Sequence, residues 1–137
     1  MVPKEAYRDE GTSYHYAPAE DYIRIKNAET VAAFMETSGI PYVEGKTWST
    51  DGFYRETMNN FEKRKADGCI CVEMEGAAVQ AFCDFRGYEV YMFFTSGDLL
   101  DAPEWTMRRE EGQIKNTQHD AGYFEIALAL AEYAAGL

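Results

Sequence analysis

Hydrophobic positions fall into two patterns along this chain, a helical stripe and a short continuous run. Val31, Phe34 and Met35 recur at helical spacing, and Gly39 follows them as a helix stop signal. This pattern predicts a helix over residues 28–38. Short apolar runs bounded by turn residues instead indicate buried strands.

The remaining segments follow from the same two patterns. They are a strand over 40–47, a loop over 48–54, a charged helix over 55–66, a buried strand over 69–72, a helix from 74 that Gly87 ends, a second buried strand over 90–94, and an amphipathic helix over 119–135. Residues 1–16 are polar and aromatic, which is compatible with a short strand, a surface loop or one wall of a site. Strands and helices alternate, so we expect an α/β fold.

Composition narrows the class of protein. The chain has 137 residues, 46% of them hydrophobic, which is enough for one globular domain. A formal net charge of −11 disfavours nucleic acid or an anionic membrane as a partner. The sequence shows no long apolar run and no basic leader, so we expect a cytoplasmic protein without a membrane span.

The three cysteines, Cys69, Cys71 and Cys83, lie in apolar segments. Their odd number and location favour reduced thiols inside a cytosolic protein. A Cys-x-Cys pair without a neighbouring histidine is a poor zinc site, so no metal is expected.

Polar residues follow both predicted buried strands. Glu73, Met74 and Glu75 come after the first, and Ser96 and Asp98 come after the second. In α/β folds ligands bind outside the carboxyl ends of strands, so these groups are candidates for one common site. An ionised carboxylate can accept hydrogen bonds from sugar hydroxyls, and a second one in an apolar setting can hold a proton to donate.

Simpler interpretations of the same residues stay open. Acidic residues at a helix N-terminus, such as Glu73 and Glu75, are stabilised by the helix dipole alone. Asp98 can be a loop-capping aspartate. Phe53 follows a tight turn, where an aromatic side chain either stacks on a planar ligand or packs against the protein.

Four stretches together resemble the nucleoside phosphorylase/nucleosidase superfamily, which includes uridine phosphorylase, hexameric purine nucleoside phosphorylases and methylthioadenosine nucleosidases. Val72–Ala78, reading Val-Glu-Met-Glu-Gly-Ala-Ala, looks like the ribose-binding motif. Arg8–Tyr16 and Thr47–Thr57 resemble the uridine phosphorylase-like branch. Ser96–Leu99, followed by Glu-Trp, stands where the family keeps its catalytic aspartate loop.

The resemblance implies a role for each candidate residue. Phe53 would stack on the nucleobase. Met74 would contact the ribose, Glu75 would bind its 2′- and 3′-hydroxyls, and Glu73 would shape the same wall. Asp98, preceded by Ser96 in the same loop, would be the general acid that protonates the leaving base.

The implied reaction is phosphorolysis of a uridine or purine nucleoside. Inorganic phosphate would be the co-substrate and no cofactor would be needed. The implied fold is a three-layer αβα arrangement with a mixed central sheet. Many members read Ser-Asp where this chain reads Ser96-Gly97-Asp98, and the uracil-reading Gln and Arg of uridine phosphorylases do not follow Tyr54.

The resemblance covers the C-terminal half of a family member. Family members are nearly twice as long, and their other half carries the glycine-rich phosphate loop and the first strands of the sheet. We therefore expect residues 1–137 to form the C-terminal nucleoside-binding half of one phosphorylase domain. The sheet would be incomplete without the N-terminal half, and the chain would be weakly active or inactive alone.

The resemblance also suggests partners and alternatives. Family likeness implies a homo-oligomer, from dimer to hexamer, unless the missing half is the partner. A methylthioadenosine-type nucleosidase, which hydrolyses the same bond, is one alternative function. A non-catalytic nucleoside-binding or assembly module is the other.

Overall fold

The computed structural model describes residues 1–95, 98–99, 106–107 and 117–136, with the backbone alone for 98–99, 106–107 and 117–121. The chain divides into two compact units, Met1–Phe93 and Phe94–Leu137, and each is described by itself.

The first unit contains four strands and three helices. They are β1 (Val2–Asp9), β2 (Tyr22–Arg24), α1 (Ala28–Thr37), β3 (Glu44–Thr50), α2 (Met58–Ala66), β4 (Cys69–Glu73) and α3 (Gly76–Arg86). Two 3₁₀ turns, Thr12–His15 and Phe53–Arg55, follow β1 and β3. The second unit contains two antiparallel paired strands, β5 (Asp98–Leu99) and β6 (Thr106–Met107), and the helix α4 (Thr117–Ala134).

The four strands of the first unit form a mixed sheet in the order β2-β1-β3-β4. β1, β3 and β4 run parallel, and β2 pairs antiparallel with β1. The register places Asp9 beside Thr50, and Ser49 beside Glu73. The carboxyl ends of three parallel strands therefore meet at one edge of the sheet, which we call the C-terminal edge.

Helices lie on both faces of this sheet. Tyr7 and Trp48 are register partners and share one face, where the guanidinium of Arg64 in α2 stacks 3.6 Å from the Tyr7 ring centroid. Ser49 points to the opposite face, because successive strand residues alternate. There the backbone N–H of Ala77 in α3 donates a hydrogen bond to the Ser49 hydroxyl at 2.9 Å. The expected α/β class with a mixed sheet is confirmed.

The core of this unit is formed by apolar side chains from β1, α1, β3 and α3. The most buried of these are Val2, Ala6, Val31, Phe34, Met35, Trp48, Ala77 and Ala81. The indole N–H of Trp48 donates a 2.9 Å hydrogen bond to the Asp9 carboxylate. Trp48 therefore combines a large buried ring with a satisfied polar atom.

Helix predictions from local signals are confirmed with small shifts. α1 spans Ala28–Thr37, and α3 ends at Gly87, whose φ of 68° is the left-handed conformation that favours glycine at a helix end. The charged helix starts later than expected, at Met58, because Phe53–Arg55 form a 3₁₀ turn. α4 covers the expected amphipathic helix at the chain's end.

Both ends of the strand predicted over 40–47 were wrong. The strand predicted over 40–47 is β3, Glu44–Thr50, so Trp48, Ser49 and Thr50 belong to a strand and not to a loop. The hydroxyl groups of Ser49 and Thr50 suggested a turn, but the hydroxyl of Ser49 is paired inside the protein. For residues 1–16, where a short strand, a surface loop and a site wall had all stayed open, the structure has an eight-residue strand, Val2–Asp9, between β2 and β3.

The two predicted buried strands also differ from expectation. β4 is a strand, but it lies at the edge of the described sheet and leaves Ile70 52% exposed. Residues 90–94 are not part of any strand. The side-chain amide of Asn27 donates to the Val90 carbonyl at 3.0 Å and to the Glu89 carboxylate at 2.7 Å. An apolar run forms a strand only where a neighbouring strand pairs with its backbone, and sequence pattern does not reveal that neighbour.

None of the helical segments in the described ranges combines the length and apolar character needed to cross a bilayer.

Replacing Trp48 by alanine should lower the free energy of unfolding by about 3–5 kcal/mol, because it removes a buried ring and leaves a cavity. Urea unfolding followed by far-UV circular dichroism measures this change. The control is Val43→Ala, at an exposed side chain just before β3, which should change stability by less than about 0.5 kcal/mol. Equal effects of the two substitutions would contradict the assignment of Trp48 to the core.

The cysteine thiols should be poor nucleophiles in the folded protein. Burial raises the pKa of the Cys69, Cys71 and Cys83 thiols. At neutral pH a smaller fraction of each is therefore the reactive thiolate than in the unfolded chain. Iodoacetamide should alkylate the native protein more slowly than the urea-unfolded protein between pH 7 and 9, as followed by intact mass. A faster reaction in the native state would contradict this expectation.

Candidate functional site

Three loops start at the C-terminal edge of the sheet. Residues 10–16 follow β1, residues 51–57 follow β3, and Met74 and Glu75 follow β4. These are the same stretches that carry the sequence resemblance. The carboxyl ends of parallel strands are the usual location of ligand sites in α/β folds. The described structure thus brings three of the four motifs to one edge.

The first two loops are held together by hydrogen bonds that backbone N–H groups donate. The N–H of Gly11 donates to the Asp51 carboxylate at 3.0 Å, and the N–H of Asp51 donates to the Asp9 carbonyl at 3.3 Å. Asp9 in turn accepts the Trp48 indole N–H. The loop after β1 and the loop after β3 therefore share a fixed geometry next to the sheet.

Arg8 orders the first of these loops from beneath. It is buried, its Nε donates to the Ser13 hydroxyl at 2.8 Å, and its Nη1 donates to the carbonyls of Pro18 and Glu20. Its guanidinium also lies 4.1 Å from the Tyr14 ring centroid. Arg8 is thus directed into the loop and not into solvent, and its observed contacts are structural.

Glu73 ends β4 and connects three elements of the fold. Its Oε1 accepts hydrogen bonds from the hydroxyls of Thr47, at 3.1 Å, and Ser49, both in β3. Its Oε2 accepts the backbone N–H of Glu75 at 2.8 Å and that of Gly76. One carboxylate thus satisfies two strand hydroxyls and two of the unpaired N–H groups that every helix start presents.

Gly76 allows this close approach of the carboxylate. A Cβ at this position would lie 3.0 Å from Glu73 Oε1 and 3.1 Å from Oε2. These distances are tighter than ordinary van der Waals contact, so a larger residue requires the carboxylate to shift. A glycine at position 76 therefore leaves the space that the Glu73 carboxylate occupies.

Glu75 behaves differently from Glu73. It occupies the N-cap position of α3, yet its side chain makes no capping hydrogen bond. Its carboxylate is exposed and accepts a local 3.3 Å bond from the N–H of Met74. Met74 is 45% exposed beside it. Glu73 performs the hydrogen-bond capping, so the carboxylate of Glu75 remains directed to solvent with its acceptor capacity largely unused.

Phe53 lies in the 3₁₀ turn after β3, at the same edge of the sheet. It is 41% exposed, and its ring meets Tyr54 edge to face at 5.3 Å. The exposure leaves a partly accessible aromatic surface. The nucleobase contact implied by the resemblance stays a prediction.

The fourth motif lies in the second unit. Asp98 is placed as a backbone position in β5, and Ser96 lies outside the described residues. The proposed meeting of Asp98 with Glu73 and Glu75 stays a prediction. The expectation rested on residues 90–94 forming a strand next to β4, and those residues do not form one.

Comparison with known proteins gives a family for this architecture. A family model described as the phosphorylase superfamily matches residues 1–127. The chain belongs to the phosphorylase superfamily. A curated relative, the purine nucleoside phosphorylase DeoD-type of an Exiguobacterium species, is 28% identical over 95 residues, which cover 69% of this chain and 39% of the relative.

Two solved structures share the superfamily fold. The AMP nucleosidase of Bacteroides thetaiotaomicron superposes with a TM-score of 0.53 at 22% identity, covering 66% of this chain and 41% of that one. The Plasmodium knowlesi homologue of the P. falciparum purine nucleoside phosphorylase superposes with a TM-score of 0.52 at 19% identity, covering 63% and 37%. At these identities the likeness shows the fold alone. This phosphorylase-superfamily chain thus spans about two fifths of the proteins it matches.

Two residues of this superfamily member escaped the sequence analysis. Thr47 and Ser49 were read as the end of a strand and part of a loop, but both are fully buried and both bond Glu73. The two residues are two positions apart, which places both hydroxyls on one face of a strand. This spacing was the feature of the sequence that could have identified them. Within the described residues no cluster of histidine, cysteine and carboxylate side chains is arranged to hold a metal.

Replacing Glu73 by alanine should destabilise the protein by about 1–3 kcal/mol, because partly buried hydroxyl and N–H donors lose their acceptor. Replacing Glu75 by alanine should change stability by less than about 0.5 kcal/mol, because its carboxylate is exposed. Thermal or urea unfolding of the two variants measures the difference. A Glu75→Ala loss equal to that of Glu73→Ala would contradict the division of roles.

Proposed function

We propose that this chain is the nucleoside-binding part of a nucleoside phosphorylase that cleaves the N-glycosidic bond of a purine nucleoside or uridine. The observation that carries the proposal is the exposed, uncommitted carboxylate of Glu75, placed beside Met74 at the C-terminal edge of the sheet. A carboxylate in this setting accepts hydrogen bonds from neighbouring hydroxyls, as the 2′- and 3′-hydroxyls of ribose require. Family membership supports the assignment.

The remaining contacts follow the same geometry. The apolar side chain of Met74 would lie against the sugar, and the accessible face of Phe53 would stack on the planar base. The curated relative is named a purine nucleoside phosphorylase, which makes a purine nucleoside the first substrate to test. Uridine is the second, because of the sequence resemblance in the loops after β1 and β3.

The proposed reaction balances without a cofactor. An oxygen of inorganic phosphate attacks C1′ of the sugar, and the C1′–N bond breaks as the base leaves with the bonding electrons. Asp98 would supply the proton that the base needs. The products are the free base and (deoxy)ribose 1-phosphate.

Electrostatics at the C-terminal edge support a cationic sugar in the transition state. Asp9, Asp51 and Glu75 all expose carboxylates there. Positive charge that develops on the ring as the bond breaks is stabilised by such fixed negative groups. The same charges repel phosphate, so we propose that phosphate is held by groups outside the matched segment, on a partner copy or another part of the enzyme.

The purified protein should be assayed with inosine and uridine, each with and without inorganic phosphate. Phosphorolysis predicts release of base and ribose 1-phosphate only when phosphate is present. Release of free ribose without phosphate would instead indicate a nucleosidase. Binding of either nucleoside without turnover would indicate a nucleoside-binding module, and absence of binding would contradict the proposed function.

Substitution at Glu75 tests the carboxylate directly. If the protein turns over a nucleoside, Glu75→Ala should abolish turnover more completely than Asp98→Asn, because the sugar contacts position the whole substrate. If the protein only binds, Glu75→Ala should weaken inosine binding by about tenfold, as for loss of a charge-assisted hydrogen bond. Equal affinity of the variant and the wild type would contradict the site as drawn.

A further inference from the structure

We propose that Ser49 is a positioning residue for nucleoside binding, acting on Glu75 through the carboxylate of Glu73. The inference rests on the proposed function, because it concerns the same sugar site. Ser49 does not face the exposed edge. It is fully buried on the α3 side of the sheet.

The Ser49 hydroxyl is used in both directions. It accepts the backbone N–H of Ala77 in the first turn of α3 at 2.9 Å, and it donates to Glu73 Oε1. Glu73 Oε2 then accepts the N–H groups of Glu75 and Gly76. The hydroxyl of a strand residue is thereby connected to three consecutive N–H groups, those of residues 75, 76 and 77.

These N–H groups set the direction in which Glu75 leaves the backbone. When the peptide planes on either side of Glu75 are fixed, its Cα–Cβ bond is fixed too, and the side chain keeps only its own rotamers. A ligand-binding carboxylate gains affinity when its supporting residues hold it in the bound geometry beforehand. The buried hydroxyl of Ser49 therefore helps to orient the exposed carboxylate of Glu75, although it does not contact it.

Thr47 provides a natural comparison within the same strand. Its hydroxyl donates to the same Glu73 oxygen at 3.1 Å and accepts a hydrogen bond from the Cys71 thiol at 3.1 Å, so both contacts lie within the sheet. Thr47 thus connects the carboxylate only to groups of the sheet, whereas Ser49 connects it to the start of α3 as well. We expect Ser49 to have the larger effect on Glu75 of the two residues.

The test compares Ser49→Ala with Ser49→Thr, which keeps the hydroxyl, and with Thr47→Val, which removes the second donor to Glu73. Val31→Ala, in α1 away from the C-terminal edge, is the control for a general loss of stability. Two quantities are measured well below the unfolding temperature. The first is the affinity for a nucleoside compared with that for its free base, using inosine with hypoxanthine and then uridine with uracil. The second is the hydrogen-exchange rate of the amides of residues 75–77.

Ser49→Ala should weaken inosine binding severalfold, but by less than the about tenfold loss expected for Glu75→Ala, because Glu75 is still present but less well positioned. Hypoxanthine binding should not change, because only the sugar contact depends on Glu75. Amide exchange at residues 75–77 should be faster in Ser49→Ala, intermediate in Thr47→Val, and close to wild type in Ser49→Thr. Val31→Ala should change neither the ratio of the two affinities nor exchange at these amides relative to the rest of α3.

Two results would overturn the proposal. One is an equal loss of nucleoside and free-base affinity in Ser49→Ala, which a general structural role would produce. The other is unchanged exchange at residues 75–77. If Ser49→Ala does not fold, Thr47→Val with its smaller expected change in both measurements decides. If the wild type binds neither nucleoside, the proposed function fails, and amide exchange alone decides whether Ser49 orders this turn.

Discussion

The carboxylate of Glu73 is the interaction on which the candidate site depends. It accepts hydrogen bonds from two hydroxyls of β3 and from two N–H groups at the start of α3, and it belongs to β4 itself. Two neighbouring parallel strands and the helix that follows them are thus joined through one acidic group. Burial of the polar donors would be unfavourable without this acceptor, so the packing of β3 against α3 and the geometry of the turn are coupled.

This arrangement gives two glutamates, separated by one residue, different physical tasks. Glu73 has both oxygens occupied by protein donors, whereas Glu75 is exposed and has one weak local bond. Capping a helix start and binding a neutral sugar both need an acceptor, and one carboxylate serves them poorly at the same time. In this chain Glu73 and Glu75 are separated by Met74, whose side chain is partly exposed at the same place.

Local signals in the sequence were sufficient for the helices. The spacing of Val31, Phe34 and Met35 and the position of Gly87 depend on neighbours within a few residues, and α1 and α3 agree with them. The strands depended on distant partners. Ser49 reads as a turn residue until its partner Glu73, 24 positions later, is known. Residues 90–94 read as a strand, but the structure does not place them in one. The motif at Val72–Ala78 gave the candidate site, but the distinction between Glu73 and Glu75 needed three-dimensional contacts.

Because Ser49 pairs with Glu73, the register of β3 in the sheet determines whether the Glu73 carboxylate meets its hydroxyl donors. Side chains alternate between the two faces of a strand, so moving β3 by one residue would exchange its two faces. If Trp48 moved into the place of Ser49, its indole would point toward the Glu73 carboxylate, and the hydroxyls of Thr47 and Ser49 would point toward α2. A single-residue insertion or deletion between β1 and β3 could keep the length and composition of the strand and still remove the acceptor–donor match. The turn at Met74 and Glu75, where sugar binding is proposed, would lose its support although none of its own residues had changed.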